Sequence, residues 1–283
     1  MQGTWIYFSL FTLLFGISCG EVRYVLPEEM QMGSVIGNVA RDLGLEVSGF
    51  DARRARVIAE GTDKLCELDT MSGNLLISQR IDREELCAQE TVCILQFQLL
   101  LEDPLQAFSL ALDIADINDN SPMFAAGDFK LDLVESTVVG RRFPLESAHD
   151  PDLGTNSIRE YKLSQNDHFA LEMSSQMNGN AYPELVLKKP LDREAQTEHV
   201  LEIIGIDAGI PVRSGTASIH IHVLDANDNV PVFTQQVYKA SISENSAIGT
   251  VIGTLNATDL DSGVYGEITY SFSHLSDKMG GVF

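Results

Sequence analysis

One acidic motif returns after the length of a whole domain, and this constrains the fold more than any other feature of the sequence. The nine residues at 116–124, DINDNSPMF, return at 225–233 as DANDNVPVF, a step of 109 residues. A period of this length is a domain rather than a solenoid unit. We therefore expect one repeat at 21–122, a second at 123–231 and a partial third at 232–283.

Shorter motifs keep nearly the same step and the same order. The sequence IDRE at 81–84 returns as LDRE at 191–194, and DPDLG at 150–154 returns as DLDSG at 259–263. A glutamate five residues before a glycine occurs three times, at Glu28, Glu135 and Glu244. Because chance does not align several motifs in one order, the chain is a tandem repeat.

Hydrophobic residues within the repeats alternate with small or polar ones. The stretches 108–114, FSLALDI, and 218–223, SIHIHV, have the period of two that is typical of half-buried antiparallel strands. Several such runs per hundred residues, separated by Gly, Asn, Asp and Pro, predict an all-β fold built of β-sandwiches. The segment 41–44 is at most one helical turn.

The first residues have the features of a secretory signal. Residues 1–20 carry no charged side chain, and 6–17 is an almost unbroken apolar run. We expect cleavage before Glu21; an uncleaved anchor is the alternative. No later stretch approaches eighteen apolar residues, so we expect membrane anchoring only through a segment absent from this chain.

The strong acidity limits the partners. Acidic residues outnumber basic ones by 41 to 19, for a formal charge of −22. Nucleic acid is therefore not an expected partner, because phosphate binding needs clustered Lys and Arg.

Three cysteines follow the signal. Cys87 and Cys93 are six residues apart around a polar loop, and an oxidising compartment would let them form a disulfide. The alternative is three free thiols. Cys66 is interpreted as a strand residue.

The repeated motifs consist mainly of carboxylates and side-chain amides at strand ends and domain boundaries. Ca²⁺ takes six to eight oxygen ligands, whereas Zn²⁺ prefers His and Cys. The sequence therefore predicts Ca²⁺ sites at the joints between repeats.

Other interpretations fit less well. A glycosidase pair of acids would occur once in a cleft, not once per repeat, and the common catalytic fingerprints are missing, so no enzyme is expected. An EF-hand loop beginning at Asp259 would have Tyr270 where its last ligand, a Glu, belongs. His220 and His222 share one strand face and could bind zinc, but solvent-facing polar residues are the favoured interpretation.

The combined motifs resemble the extracellular repeats of cadherins, and the finer sequence is similar to clustered protocadherins. The stretches that carry the second similarity are RIDREELC at 80–87 with Cys93, RRFPL at 141–145 and YPELVL at 182–187. The resemblance covers residues 21–263 and implies tandem Greek-key β-sandwiches joined by calcium-binding linkers.

The resemblance also implies the ligands, with three Ca²⁺ ions at each joint. Those of the first joint are Glu28, Asp82, Glu84, Asp116, Asn118, Asp119, Asp150, Asp152 and Asp207, with backbone carbonyls at Ile117, Asn120 and Asn156. Those of the second joint are Glu135, Asp192, Glu194, Asp225, Asn227, Asp228, Asn229, Asp259 and Asp261. The sequence stops before a counterpart of Asp207.

The function that the resemblance implies is calcium-dependent, mainly homophilic cell–cell adhesion and recognition, with calcium stiffening the joints. The expected partner is the same or a related protocadherin on an apposed cell. The expected location is the extracellular side of the plasma membrane, or outside the cell if the chain is a complete product. The alternative is a soluble calcium-binding fragment without adhesion of its own. Asn256 is the candidate glycosylation site.

Overall fold

The structure is a computed structural model that describes residues 21–59, 65–175 and 181–273. The predicted signal at 1–20 lies outside these residues. The described chain divides into two compact units. One contains the chain up to Asn120 together with 151–157 and 208–212, and the other contains 121–150, 158–207 and the chain from Arg213 onwards.

Short strands and single-turn helices build the first sandwich. Its elements are β1 (Val22–Pro27), β2 (Val35–Asn38), α1 (Val39–Leu43), a 3-10 turn (Val47–Gly49), β3 (Arg56–Ala59), β4 (Cys66–Asp69), β5 (Asn74–Ile77), α2 (Arg83–Cys87), β6 (Ile94–Leu101) and β7 (Gln106–Ala115). One sheet has the order β1-β7-β6-β3 and the other the order β2-β5-β4.

The second sandwich repeats this arrangement. Its elements are β8 (Asp128–Val134), β9 (Arg142–Pro144), β10 (Ile158–Leu163), β11 (Phe169–Ser175), β12 (Ala181–Leu187), β13 (Glu198–Asp207) and β14 (Ser214–Leu224). Its sheets have the orders β10-β13-β14-β8 and β11-β12-β9. In both sandwiches the first strand pairs in parallel with the last, β1 with β7 and β8 with β14.

Each pair of sheets encloses one core. In the first, Leu75 on β5 faces the same core as Leu99 and Leu110 on β6 and β7, and in the second, Leu185 on β12 shares a core with Ile219 on β14. All five side chains are fully buried. Burial of each stabilises the fold by about 1.5–3 kcal/mol. The alternating stretches predicted from sequence are the strands β7 and β14, with their apolar residues inward.

Only two short strands follow in the described part beyond Asn229. They are β15 (Val232–Phe233) and β16 (Ala257–Thr258), and they pair antiparallel. The predicted all-β fold is confirmed, and α1 has the single turn that the sequence allowed.

The second helix was not anticipated. It begins in the repeated Asp-Arg-Glu motif, where the Asp82 side chain accepts a hydrogen bond from the Glu85 backbone N–H and caps the first turn.

Candidate metal centres at the linkers

The glutamate that follows the first strand of each sandwich joins the Asp-Arg-Glu motif to the linker. The buried Glu28 carboxylate accepts hydrogen bonds from the Arg83 N–H at 2.7 Å and the Ile117 N–H at 3.0 Å. Glu135 accepts the equivalent bonds from the Arg193 and Ala226 N–H groups, both at 2.7 Å. Both glutamates are thus held in one orientation by two backbone donors.

The last asparagine of each linker orients two aspartates. The Asn120 side chain donates to Asp119 and Asp152, both at 2.8 Å, and its backbone N–H donates to Asp152 at 3.1 Å. Asn229 repeats the pattern, with its side chain donating to Asp228 at 3.0 Å and Asp261 at 2.8 Å. Asn120 thus donates to both oxygens of Asp152, whereas Asn229 donates only to Oδ1 of Asp261.

The first aspartate of each linker is also fixed by donors. Asp116 accepts from the Leu153 N–H at 3.1 Å and the Asn156 side chain at 2.9 Å. Asp225 accepts from the Ser262 N–H at 2.8 Å and the Ser262 hydroxyl at 3.0 Å. The side chain at Asn156 therefore has a hydrogen-bonding role beyond the backbone carbonyl expected there.

Predicted ligands converge in two places, which we name the first and second acidic clusters. Within each, carboxylate oxygens of at least three residues lie within 4.8 Å of one another. The first acidic cluster contains Glu28, Glu29, Glu84, Asp116, Asp119 and Asp152. The second contains Glu135, Asp192, Glu194, Asp225 and Asp261. Like charges at such distances repel unless a proton or a cation compensates them.

Several predicted residues lie outside these close groups. Asp82 caps the following turn, because its carboxylate accepts a hydrogen bond from the Glu85 N–H at 2.9 Å. Asp192 accepts the equivalent bond from the Ala195 N–H, also at 2.9 Å, but unlike Asp82 it belongs to one of the acidic clusters. Asp259 accepts from the Asp261 N–H at 3.0 Å. The remaining ones are Asp150 and Asp207, both buried, and Asp228 and Asn227, both exposed.

Asn118 and Asn227 occupy equivalent sequence positions but differ in their surroundings. Asn118 is buried, and its side-chain amide donates to the Pro211 carbonyl at 2.5 Å. The loop that covers it is so close that a Cβ on Gly209 would lie 2.3 Å from the Asn118 side chain. Asn227 is exposed, and no loop of the described residues covers it in this way.

Two buried side-chain oxygens fit a cation better than a hydrogen bond. Asn118 Oδ1 and Asp261 Oδ2 are inaccessible to solvent and accept no hydrogen bond. A buried acceptor without a donor costs about 1–3 kcal/mol, and this cost disappears when a metal is bound. The candidate ligand atoms of the two acidic clusters are carboxylate oxygens, and the linker asparagines add amide oxygens, so the residues fit Ca²⁺.

The electrostatics of the clusters favour a positive ligand. Burial, and after it a hydrogen bond and the charge of Glu28, together raise the pKa of Glu84 to about 7. Burial and then the charges of Glu28 and Asp152 raise the pKa of Asp119. For Asp225, burial acts to raise the pKa, but hydrogen bonds from Ser262 and Arg193 outweigh it and lower the net value.

Sequence reasoning missed three charged residues. Arg83 and Arg193, the central residues of the Asp-Arg-Glu motif, each contact two acids; Arg83 Nη1 lies 3.3 Å from Glu84 and 3.6 Å from Asp116. Glu29 joins the first acidic cluster and pairs with Arg80. The arginine occurs in both copies of the Asp-Arg-Glu motif, and this recurrence could have marked Arg83 and Arg193 as part of the sites.

The cysteines behave as expected. Cys87 and Cys93 form a disulfide, which closes the loop after α2. Cys66 is the buried first residue of β4 and is a free thiol. The disulfide prediction is confirmed.

Two further observations bear on surface roles. Asn256 is exposed, and its backbone carbonyl accepts hydrogen bonds from the Thr234 N–H and the Tyr238 hydroxyl. The glycosylation of its side chain stays a prediction. In the described ranges, no helix has the length and apolarity needed to cross a bilayer.

Comparison with known families supports the resemblance. The family described as "Cadherin-like" matches residues 21–103, and the family described as "Cadherin domain" matches residues 129–224. Together these matches cover most of the chain.

Curated relatives are similar along nearly the whole chain. Protocadherin gamma-A2 of Homo sapiens is 45% identical over 274 residues, which cover 97% of this chain and 29% of the relative. Protocadherin gamma-A10 of Homo sapiens is 44% identical over 272 residues, covering 95% of this chain and 29% of the relative. The chain thus spans about 30% of the length of these relatives.

Solved structures agree with the fold. Mouse clustered PcdhgC3 EC1-3 is 43% identical, with a TM-score of 0.87 over 92% of this chain and 83% of that chain. Protocadherin Gamma C5 EC1-3 is 44% identical, with a TM-score of 0.85 over 92% of this chain and 84% of that chain. The paired acidic clusters, the two sandwiches of identical strand order and these similarities agree: the chain belongs to the cadherin superfamily and, within it, to the clustered protocadherins.

Proposed function

We propose that this chain takes part in calcium-dependent, mainly homophilic cell–cell recognition at the extracellular side of the plasma membrane. The protocadherins to which it is similar are cell-surface adhesion proteins, not enzymes. The proposed partner is the same or a related protocadherin on an apposed cell. The repeat boundaries near Pro122 and Pro231 are part of the proposal.

Calcium binding at the two acidic clusters is the chemical core of the proposal. The observation that carries it is the pair of buried oxygens without donors, Asn118 Oδ1 in the first linker and Asp261 Oδ2 in the second acidic cluster. Ca²⁺, when bound, supplies charge neutralisation and fixes the linker. The protein supplies the orientation, because Glu28, Asp116 and Asp152 are already held by backbone donors.

A calcium titration of wild-type protein and of Asp119→Asn tests the metal sites. Asp119 faces Glu28, Glu84 and Asp152 in the first acidic cluster, so removal of its charge should weaken calcium binding there by at least about tenfold. Asp51→Asn is the matched control, because Asp51 is an exposed acid outside both clusters. Equal calcium affinity in all three proteins would contradict the assignment.

Bead aggregation tests recognition separately. Beads coated with this chain should aggregate in calcium and disperse in chelator if the chain recognises itself. If calcium binds but the beads stay dispersed, the chain is a calcium-binding module without adhesion of its own. The two experiments thus separate a failure of the metal assignment from a failure of recognition.

A further inference from the structure

We propose that the open face of the second sandwich binds a transition-metal ion such as Zn²⁺ through His220 and His222, supported by the carboxylates of Glu198 and Asp132. This site is distinct from the acidic clusters. Its ligands include imidazole nitrogens, which suit Zn²⁺ and Cu²⁺, whereas the clusters offer only the oxygens that Ca²⁺ prefers.

The strand register places these side chains together. β14 lies between β13 and β8, and Glu198, His222 and Asp132 are direct partners in one row across the three strands. His220 lies two residues before His222 and so points to the same face. The intervening Ile221 is fully buried in the core, which fixes both imidazoles on the outer side.

Each imidazole already contacts a carboxylate. His220 Nδ1 lies 3.4 Å from Glu198 Oε1, and His222 Nδ1 lies 3.6 Å from Asp132 Oδ1. Histidines that bind metal through one nitrogen usually donate the other N–H to a carboxylate, a backbone carbonyl or a water. With Nδ1 facing the carboxylate, Nε2 of each ring is available to the ion.

The space and the charge of this face suit a divalent cation. The side chains line an open depression of about 560 Å³ that also includes Asp128 and Lys130. The His220 and His222 side chains are 39% and 62% exposed, so the rings can turn toward a shared ion without disturbing the core. Three carboxylates and one lysine line the depression, which leaves its fixed charge negative.

Isothermal titration with Zn²⁺ tests the site on protein saturated with Ca²⁺, so that the acidic clusters are occupied. We expect one zinc equivalent to bind, and the double variant His220→Gln/His222→Gln to bind it at least about tenfold more weakly. Asp132→Ala and Glu198→Ala should each weaken binding by about tenfold, since they remove the partner of one imidazole.

His168→Gln is the matched control, because His168 lies in the same sandwich beside His199 but outside the depression. Its zinc affinity should equal that of the wild type. Circular dichroism of the zinc-free variants should be unchanged. The proposal fails if the double variant binds Zn²⁺ as tightly as the wild type, or if the wild type binds it only above about 1 mM.

Discussion

Two arginines at the same position of the repeated Asp-Arg-Glu motif have different partners. Arg83 is 1% exposed, and besides Glu84 and Asp116 its guanidinium donates to the carbonyls of Ala88 and Glu90. Arg193 instead donates to Asp225 at 2.5 Å, to Glu194, and to the Leu260 carbonyl at 2.9 Å. Arg83 is thus fixed by the loop after α2, whereas Arg193 chiefly neutralises the second acidic cluster.

Arg193→Gln should therefore have opposite effects with and without calcium. In chelator, the loss of the positive charge should lower the melting temperature, because the second acidic cluster loses its counter-ion. In a calcium titration, affinity at that cluster should rise by about two- to fivefold, the size of a weak charge interaction. Arg159→Gln is the control, because Arg159 is an exposed arginine for which no ion pair with either acidic cluster is seen among the described residues. A fall in affinity would instead make Arg193 a positioning residue for the ligands.

Cys66 offers a second test at a single residue. Burial raises the pKa of its thiol to about 12, so the reactive thiolate is nearly absent from the folded protein at pH 8. Iodoacetamide should modify Cys66 only after unfolding. The folded pKa lies above the ordinary value of 9.0, so this group's contribution to stability is complete below pH 9 and is lost as pH rises toward 12. Rapid alkylation of the native protein at pH 8 would contradict this burial.

At the scale of elements, the alternation of apolar and polar residues predicted the strands, and the repeated motifs predicted the acidic clusters. Neither pattern predicted which loop covers the linker residues. β7 and β14 follow directly from their period of two. The burial of Asn118 does not, because it depends on the loop at 208–212, about ninety residues away in the chain. The sequence did not predict the helix α2 either, because Asp82 was interpreted only as a metal ligand. In the structure its carboxylate caps that helix.

Two substitutions of Asp82 separate capping from metal binding. Asp82→Ala removes the acceptor of the Glu85 N–H and should cost about 0.5–2 kcal/mol in chelator, whereas Asp82→Asn keeps the cap and should cost little. If Asp82 also binds calcium, both variants should lose part of the stabilisation that calcium gives. Urea unfolding with calcium and with chelator measures both effects. Calcium stabilisation that is unchanged in Asp82→Asn would leave Asp82 as a cap alone.

The contact between β14 and the end of the first linker gives another prediction at this scale. A Cβ on Gly215 would lie 1.8 Å from the Pro122 carbonyl oxygen, so Gly215→Ala should force the strand and the linker apart. We expect a loss of about 1–3 kcal/mol in urea unfolding. Gly127→Ala is the matched control, because a Cβ there meets no atom within 4 Å. An unchanged free energy of unfolding in Gly215→Ala would show that the strand and the linker can move apart without loss of stability.

At the scale of the whole molecule, charge is the dominant fact. The chain carries 41 acidic and 19 basic residues, and each acidic cluster brings several carboxylates to within a few ångström of one another. Without a cation, their repulsion opposes the folded state. Calcium relieves that repulsion locally by ligation, whereas salt relieves it only by screening.

Calcium and salt should therefore stabilise the protein by different amounts. If calcium is tenfold above its dissociation constant, each site stabilises the bound form by about 1.4 kcal/mol. Such sites should together raise the melting temperature by about 5 °C or more. In chelator, 0.5 M NaCl should recover only part of this increase, and in calcium it should add little, because the clustered charges are already compensated. If salt in chelator gave the same increase as calcium, the clusters would act as a diffuse acidic surface and not as metal sites.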